Sequence, residues 1–314
     1  MARPIPSGRR MTEAKARQRE RWAMVTCWFT PLFWTANLVV ARTAPGVITP
    51  HVLAMGRWFL AGLILASLTR HELWQNRHWI RANAWRYLVL GACGMWICGA
   101  WVYQAGYSTS AMNISLIYAS APVLIAMGSV LWLGEHFSMR QRVGVCVALM
   151  GVVHVVVRGQ WTHLLDVVLV PGDLWIVAAA FSWASYALLQ RKWPSRLGST
   201  AHLATTCFAG VLVMLPFTAW ELLAQDTPPW SWTGLGLIVL AAIVPGVGAY
   251  WIYGWTQKIL GASRVAVTLY LGPIYAALVT WLVLNEPLGW HHLGGAGLIL
   301  SGVALVMMRR SVQA

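Results

Sequence analysis

The sequence predicts an all-α integral membrane protein with ten transmembrane helices in two inverted five-helix repeats. Three observations lead to this fold class. The composition is strongly apolar, hydrophobic segments of membrane length recur along the chain, and the sequence repeats loosely at an offset of 151 residues.

Composition places the chain in a bilayer. Hydrophobic residues make up 58% of the 314 residues and charged residues only 10%, whereas soluble domains carry about 25% charged residues. The 21 tryptophans fit the same environment, because amphipathic indole rings favour the depth of the lipid headgroups. Polar and apolar residues do not alternate persistently, so the sequence does not predict a β-barrel.

Ten apolar segments follow one another along the chain, and a helix of about 20 such residues spans a bilayer. Several segments are shorter than this, so their ends are approximate. The predicted spans are Trp22–Ala41, His51–Leu68, Tyr87–Tyr103, Asn113–Leu133, Val143–Val157, Leu174–Leu189, Leu203–Trp220, Gly234–Trp255, Val265–Leu284 and Leu293–Met308.

The basic residues predict the orientation, because cytoplasmic loops of membrane proteins are enriched in Lys and Arg. With the N-terminus in the cytoplasm, all but three of the 23 Lys and Arg residues lie in cytoplasmic segments. The exceptions are Arg42 and Arg158 at outer ends of spans and Arg57 within a span. This asymmetry predicts that both termini are cytoplasmic.

A repeat relates the two halves. Tyr107–Val157 aligns with Lys258–Met308, so that ASAPVLIAMGSVLWLGEHF corresponds to YLGPIYAALVTWLVLNEPL. Each half has five spans, an odd number, so the second half enters the membrane from the opposite side. Such inverted repeats with broken helices indicate secondary transporters. The coinciding pairs are Ala111 and Ala262, Pro122 and Pro273, Glu135 and Glu286, Gly144 and Gly295, and Gly151 and Gly302.

The repeat divides the chain into five segments. The predicted segments are a basic cytoplasmic arm (1–21), a first five-helix repeat (22–157), a linker (158–173), a second five-helix repeat (174–308) and a cytoplasmic tail (309–314). We expect the arm to be disordered and held near anionic lipid by its charge. The positive-inside distribution accounts for the net charge of +14, so no nucleic-acid partner is expected.

The cysteines and the acidic residues do not indicate a metal site, a catalytic site or a proton-coupling site. The five cysteines fall inside predicted spans without metal-ligand spacing, so we expect apolar packing, no metal, no cofactor and no catalytic residue. Glu135 and Glu286 lie at helix ends, and Glu221 and Asp226 at an outer boundary. With no carboxylate predicted inside a span, proton coupling through a carboxylate is not expected, and transport down the solute gradient is favoured.

Uncharged polar and aromatic residues lie inside several spans. Together they suit a compact neutral or zwitterionic solute with an aromatic or apolar part. The alternative is that individual rings pack the bundle or anchor it at the interface. The predicted substrate-binding residues are Trp34, Asn37, Trp101, Tyr103, Tyr118, Trp183, Tyr186, Tyr253 and Tyr270.

Two prolines and two pairs of glycines mark the spans in different ways. Pro122 and Pro273 each remove a backbone donor, so we predict gating hinges there, or freed carbonyls, near Tyr118 and Leu269, that face a wet cavity. Gly144 and Gly151 share one helix face, as do Gly295 and Gly302. Small residues allow helices to approach closely in lipid, so these two spans are predicted to be scaffold.

Arg57 is the one cation inside a span. Two interpretations stay open for it: binding of a substrate carboxylate, or snorkelling to the outer headgroups, which we favour. His154 is interpreted as a packing residue. His291 and His292 are adjacent, so we expect their side chains to point to different faces.

The paired pattern of a proline followed by a glutamate, the ten spans and the tryptophan-led first and sixth helices resemble the EamA family of the drug/metabolite transporter superfamily. The resemblance covers residues 22–308. It implies export of amino acids or other metabolites from bacteria, and Trp34 and Trp183 match tryptophans of the YddG-type aromatic amino-acid exporters. Those exporters carry an aromatic residue before the first proline, where this chain has Ala121.

The resulting hypothesis is a multi-pass exporter in the bacterial inner membrane that works by alternating access. It carries amino acids, aromatic ones among them, or related metabolites. The expected partners are a small-molecule substrate and the lipid bilayer, with the chain acting as a monomer. The alternatives are a lipophilic-drug exporter, a membrane-embedded enzyme, which needs clustered His, Asp or Glu residues, and a non-transporting scaffold.

Overall fold

The computed structural model describes residues 7–133, 138–163, 170–224, 231–260, 268 and 271–307. Nearly all of the regular structure in these ranges is α-helical. The α-helices are α1 (Ser7–Thr43), α2 (Pro50–Gln75), α3 (Arg77–Ala82), α4 (Ala84–Gly91), α5 (Cys98–Ala105), α6 (Ala111–Ala119), α7 (Ala121–Leu133), α8 (Met139–Val156), α9 (Pro171–Lys192), α10 (Ser199–Ala224), α11 (Trp232–Ala241), α12 (Ala249–Leu260), α13 (Gly272–Val283) and α14 (Trp290–Met307).

Eight helical stretches among the described residues are long and apolar enough to cross a membrane. They contain the first eight predicted spans to within one residue. The ninth predicted span overlaps the shorter apolar helix α13, and the tenth overlaps α14. The eight stretches are Arg17–Thr43, Pro50–Gln75, Ala84–Ala105, Ala111–Trp132, Met139–Val156, Pro171–Lys192, Ser199–Ala224 and Trp232–Thr256.

Helices run across two of the predicted segment boundaries. From Ser7 onward the basic arm is helical and continuous with the first span, because residues 11–21 are rich in strong helix formers such as Ala, Lys, Arg and Glu. The predicted linker ends early, since α9 begins at Pro171 and includes Asp173. Proline is well suited to the first turn of a helix, where its missing N–H has no intrahelical partner anyway.

Two π-helices interrupt membrane-length helices. Ala92–Ile97 lies between α4 and α5, and Ala242–Gly248 lies between α11 and α12. Pro245 accounts in part for the second, because it cannot donate the α-helical hydrogen bond. The two π-helices end at residues separated by the offset of the sequence repeat. Such elements are rare and frequently lie at functional sites.

The predicted hinge at Pro122 coincides with a break in a helix. Ser120 separates α6 from α7, and its hydroxyl donates to the carbonyl of Ile117 at 2.6 Å. Pro122 lies in the first turn of α7, where its missing donor is tolerated. Pro273 likewise lies in the first turn of α13. Leu269 is outside the described residues.

The close helix packing predicted from the glycine pairs is present between α8 and α14. A Cβ atom added to Gly302 would lie 2.4 Å from the backbone nitrogen of Ala148, and one added to Gly151 would lie 2.7 Å from the side chain of Ile299. The absence of side chains at these positions therefore sets the distance between the two helices.

Candidate functional site

A cavity of about 560 Å³ lies between the second half of α9, the start of α10 and the first half of α12. Trp183, Tyr186, Ala187 and Gln190 of α9 lie three or four residues apart or adjacent, so they share one helix face. The residues that line the cavity are Leu65, Trp183, Tyr186, Ala187, Gln190, Ser195, Leu197, Ser199, Thr200, His202, Leu203, Tyr250, Trp251, Tyr253, Gly254 and Trp255.

Aromatic rings form the inner wall of this cavity. The ring of Trp34, on α1, lies 5.9 Å from that of Tyr250 and 5.4 Å from that of Tyr253. On the facing helix, the rings of Trp183 and Tyr186 are 5.3 Å apart. Such faces contact apolar and aromatic parts of a ligand over a large area at little entropic cost.

Neutral polar groups connect the wall to the loop between α9 and α10. The amide of Gln190 donates to the hydroxyl of Tyr186 at 2.8 Å and lies 3.1 Å from Nε2 of His202. The hydroxyl of Tyr87 lies 3.3 Å from Nδ1 of His202 and 3.0 Å from the hydroxyl of Ser195. The cavity therefore offers uncharged hydrogen-bonding groups, as the sequence predicted for the pocket.

The structure brings together only some of the predicted substrate-binding residues. Trp183, Tyr186 and Tyr253 line the cavity, and Trp34 packs on its wall. Trp101 instead contacts Trp96 and Trp175. Asn37 and Tyr103 bind Arg57. Tyr118 does not line this cavity, and Tyr270 lies outside the described residues.

Among the polar and aromatic cavity residues absent from the predicted binding set are Gln190, Tyr250 and His202. Gln190 follows Tyr186 by one helical turn, so the helical period could have assigned it to the same face. Tyr250 lies beside Tyr253 in the eighth span, among the polar and aromatic residues from which the predicted set was drawn. His202 carries no such signal, because its role depends on contacts with Tyr87 and Gln190 from other helices.

The snorkelling predicted for Arg57 is wrong. Its side chain is buried, with 5% exposure. Nη1 donates to the amide oxygen of Asn37 at 2.8 Å and to the hydroxyl of Tyr103 at 3.0 Å. Tyr103 donates in turn to Asn37 at 2.8 Å. Arg57 points into the bundle because two other helices, α1 and α5, supply these oxygen acceptors.

The end of the bundle opposite the cavity is closed by contacts to three carboxylates. Glu286 accepts from Nε of Arg42 at 2.7 Å and from the backbone N–H of Ala111 at 3.0 Å. It thus joins the end of α1 to the start of α6. The dipole of α6 stabilises a negative charge at this N-terminal end. Its counterpart in the repeat, Glu135, is not among the described residues.

Glu221 makes the second of these contacts at the end of α10. It accepts from Nδ1 of His51 at 3.0 Å and from the backbone N–H groups of His51 and Val52 at 2.8 and 3.3 Å. The carboxylate therefore caps the start of α2. Glu221 was predicted at a membrane boundary, and its exposure is only 3%.

Asp173 makes the third contact; the sequence predicted no carboxylate in the middle of a span, and this one lies at the end of a membrane-length helix. It is fully buried in the first turn of α9. Its carboxylate accepts from the hydroxyl of Thr109 and from the amide of Asn113, the latter at 3.2 and 3.3 Å. The sequence assigned Asp173 to a linker, because it lies between Pro171–Gly172 and the apolar part of α9.

His291 and His292, the two adjacent histidines of α14, were predicted to point to different faces. Instead, their side chains lie against each other. Their ring centroids are 4.0 Å apart. The N–H of Gly289 donates to Nδ1 of His292 at 3.0 Å, so the proton of a neutral His292 lies on Nε2, which is 3.2 Å from the amide oxygen of Asn113. A hydrogen-bond chain thus runs from α14 through Asn113 to Asp173.

His154 contacts a side chain close to it in sequence. Nε1 of Trp161 donates to Nδ1 of His154 at 2.7 Å, and the two rings are 5.9 Å apart. This contact agrees with the interpretation of His154 as a packing residue.

The fold and the site together define a polytopic helical membrane protein with an aromatic cavity near one end and a polar closure at the other. The sequence profile of the EamA-like transporter family matches it twice, over residues 21–157 and 170–308. The chain therefore belongs to the EamA-like transporter family, and it is a membrane transporter of the drug/metabolite type.

Known relatives agree with this assignment. The uncharacterised transporter YyaM of Bacillus subtilis (strain 168) is 25% identical over 275 residues, which cover 87% of this chain and 89% of YyaM. An uncharacterised transporter of Archaeoglobus fulgidus is 25% identical, covering 90% of this chain and 96% of its own length. A WAT1-related protein of Arabidopsis thaliana is 27% identical over 45% of this chain and 38% of its own length.

A solved structure shares the fold. It superposes with a TM-score of 0.60 at 20% sequence identity, covering 91% of this chain and 97% of the other. The family and its transporter relatives indicate a transporter rather than an enzyme.

Proposed function

We propose that this protein exports amino acids, aromatic ones among them, or related metabolites across the bacterial inner membrane by alternating access. The observation that carries the proposal is the cavity of about 560 Å³ with aromatic walls and neutral polar groups. Binding sites for small organic molecules have this volume range and this mixture of surfaces. The Tyr186, Gln190 and His202 side chains supply partners for an amine or a carboxylate, which favours such solutes over purely lipophilic drugs.

We propose that alternating access depends on two inverted five-helix repeats, with ten spans in all. The paired prolines Pro122 and Pro273 and the paired π-helices support it, because both recur at the offset of the repeat. Each repeat would then contribute a broken helix and a deformable span. Exchange of conformations between the two halves would open the closed end and close the cavity.

The orientation we propose places the cavity on the cytoplasmic side. The cavity lies at the end of α9 that carries Arg191 and Lys192, and basic residues favour the cytoplasmic side. With both termini in the cytoplasm, a reporter enzyme fused after Ala314 should be active only there. Activity restricted to the periplasm would contradict the ten-span topology.

Transport by the purified chain in liposomes tests the function directly. We expect labelled aromatic amino acids to cross in either direction down their own gradient, with no pH gradient imposed. Asp173 is buried, but it lies ten residues before Trp183 on α9, about 15 Å along the helix, so it is not part of the cavity.

A proton gradient alone distinguishes passive from coupled transport. We expect it to produce no net accumulation of amino acid against its own gradient, and we expect Asp173→Asn to leave downhill flux measurable. Accumulation that is lost in Asp173→Asn would contradict passive transport and identify Asp173 as the coupling carboxylate. Efflux of lipophilic cations without flux of any amino acid would favour the drug exporter.

A further inference from the structure

Arg57 is a buried cation, and no carboxylate among the described residues pairs with it. Glu286 pairs with Arg42, and Glu221 contacts His51. The buried carboxylate of Asp173 is held by Thr109 and Asn113. The partners of Arg57 are the neutral oxygens of Asn37 and Tyr103. Burying an unpaired charge among apolar helices is costly, and such residues in membrane proteins commonly serve a ligand.

The hydrogen-bonding groups of Arg57 are only partly used. Both hydrogen bonds of its guanidinium come from Nη1. Nε is buried and has no partner among the described residues. Nε belongs to the guanidinium edge that a carboxylate bridges with two parallel hydrogen bonds.

A second unused donor lies beside the first. The guanidinium carbon of Arg57 is 4.2 Å from the centroid of the Trp58 ring. The indole Nε1 of Trp58 is also buried and also lacks a partner within the described ranges. Two buried donors on adjacent residues, with no acceptor for either among the described residues, suit an oxygen-bearing ligand.

The site is connected to the cavity by aromatic rings. The Trp58 ring lies 6.5 Å from that of Tyr250, which lines the cavity, and Tyr250 also contacts Trp34. These ring contacts thus link the wall of the cavity to the guanidinium of Arg57.

We propose that Arg57 and Trp58 form a carboxylate-binding subsite, which the anionic group of the transported solute occupies on its way through the protein. The proposal rests on the function proposed above and narrows it to solutes that carry a carboxylate. Asn37 and Tyr103 hold the guanidinium in place through Nη1, and its Nε edge binds the carboxylate. The aromatic part of the solute then lies against the rings of the cavity wall.

Binding can be measured without transport. The purified full-length protein is heated in detergent at constant ionic strength with 3-phenylpropanoate or its neutral amide, 3-phenylpropanamide. We expect the carboxylate to raise the unfolding midpoint and the amide to leave it nearly unchanged. Arg57→Gln should weaken carboxylate binding roughly tenfold or more, because a charge-assisted bidentate contact is lost. Arg77→Gln removes a half-buried arginine outside the cavity that stacks on Trp74 and donates to its carbonyl, and it should behave as the wild type.

Two further variants keep the test decisive if Arg57→Gln does not fold. Arg57→Lys retains the charge but loses the planar edge, and Trp58→Phe retains a ring but loses the second donor. Both should bind 3-phenylpropanoate more weakly. A wild type that the carboxylate does not stabilise, or variants that it stabilises as much as the wild type, would overturn the subsite.

Flux measurements in liposomes distinguish a failure of the carboxylate subsite from a failure of the proposed transport function. We expect liposomes to carry labelled 3-phenylpropanoate faster than its amide, and Arg57→Gln to remove that preference. Equal flux of acid and amide in both proteins would overturn the subsite and leave the transporter standing. Arg57-dependent stabilisation without any flux would leave the subsite standing and overturn the proposed transport of these solutes.

Discussion

Replacing Trp183 or Trp34 by alanine is expected to lower amino-acid flux about tenfold or more while leaving folded protein in the membrane. Trp183 lines the cavity, and the Trp34 ring contacts Tyr250 and Tyr253 on its wall. Truncating a tryptophan at the centre of a binding site typically costs more than 1–2 kcal/mol, and about 1.4 kcal/mol is a factor of ten.

Initial rates in liposomes, normalised to the amount of reconstituted protein, provide the measurement. Trp281→Ala is the matched control, since that ring is 59% exposed on the outer surface of the bundle; it should retain the wild-type rate. If both cavity variants keep wild-type flux for every solute that the parent carries, the binding site lies elsewhere in the bundle.

The second large effect, a loss of stability, is expected at the end of the bundle that lies opposite the cavity. Asp173→Ala should lower the free energy of unfolding by about 3 kcal/mol or more, because Thr109 and Asn113 both lose a charged acceptor in a buried position. Thr109→Val removes one of these donors and should cost roughly half as much. Thr43→Val is the matched control, since its exposed hydroxyl bonds only to carbonyls of its own helix.

Asp173→Asn tests the arrangement of donors and acceptors in the hydrogen-bond chain from His292 through Asn113 to residue 173. The new amide oxygen at residue 173, at the position of Oδ1, can still accept from Thr109 and Asn113. The new NH2 group then takes the position of Oδ2 and faces the amide nitrogen of Asn113, so that two donors oppose each other where one hydrogen bond was made. We therefore expect a loss of stability between those of Thr109→Val and Asp173→Ala.

Unfolding in detergent with increasing denaturant, followed by tryptophan fluorescence and circular dichroism, ranks these variants. Equal stability of Asp173→Ala and Thr43→Val would show that the carboxylate does not hold this end together.

The amino-acid sequence by itself determined the membrane-embedded helical fold. Its apolar segments placed the first eight predicted spans inside helical stretches of membrane length to within one residue, because burial in lipid is a local property of each segment. The glycine pairs predicted close helix packing at the spans that form α8 and α14, since a face of small residues on one helix already favours it. That these two helices pack on each other came from the structure. Family membership followed from the same local patterns, through the repeated proline and glutamate.

Only the tertiary structure decided what the polar residues do. Thr109 and Asp173 are separated by 64 positions, yet they share a buried hydrogen bond. The acceptors of Arg57 come from two other helices, and the contacts of His292 depend on Asn113. Helical periodicity gives the face on which a residue lies, but the neighbouring helix that this face meets is set by packing of the whole bundle. For that reason Arg57 was predicted to snorkel and Asp173 was assigned to a linker, although both are buried.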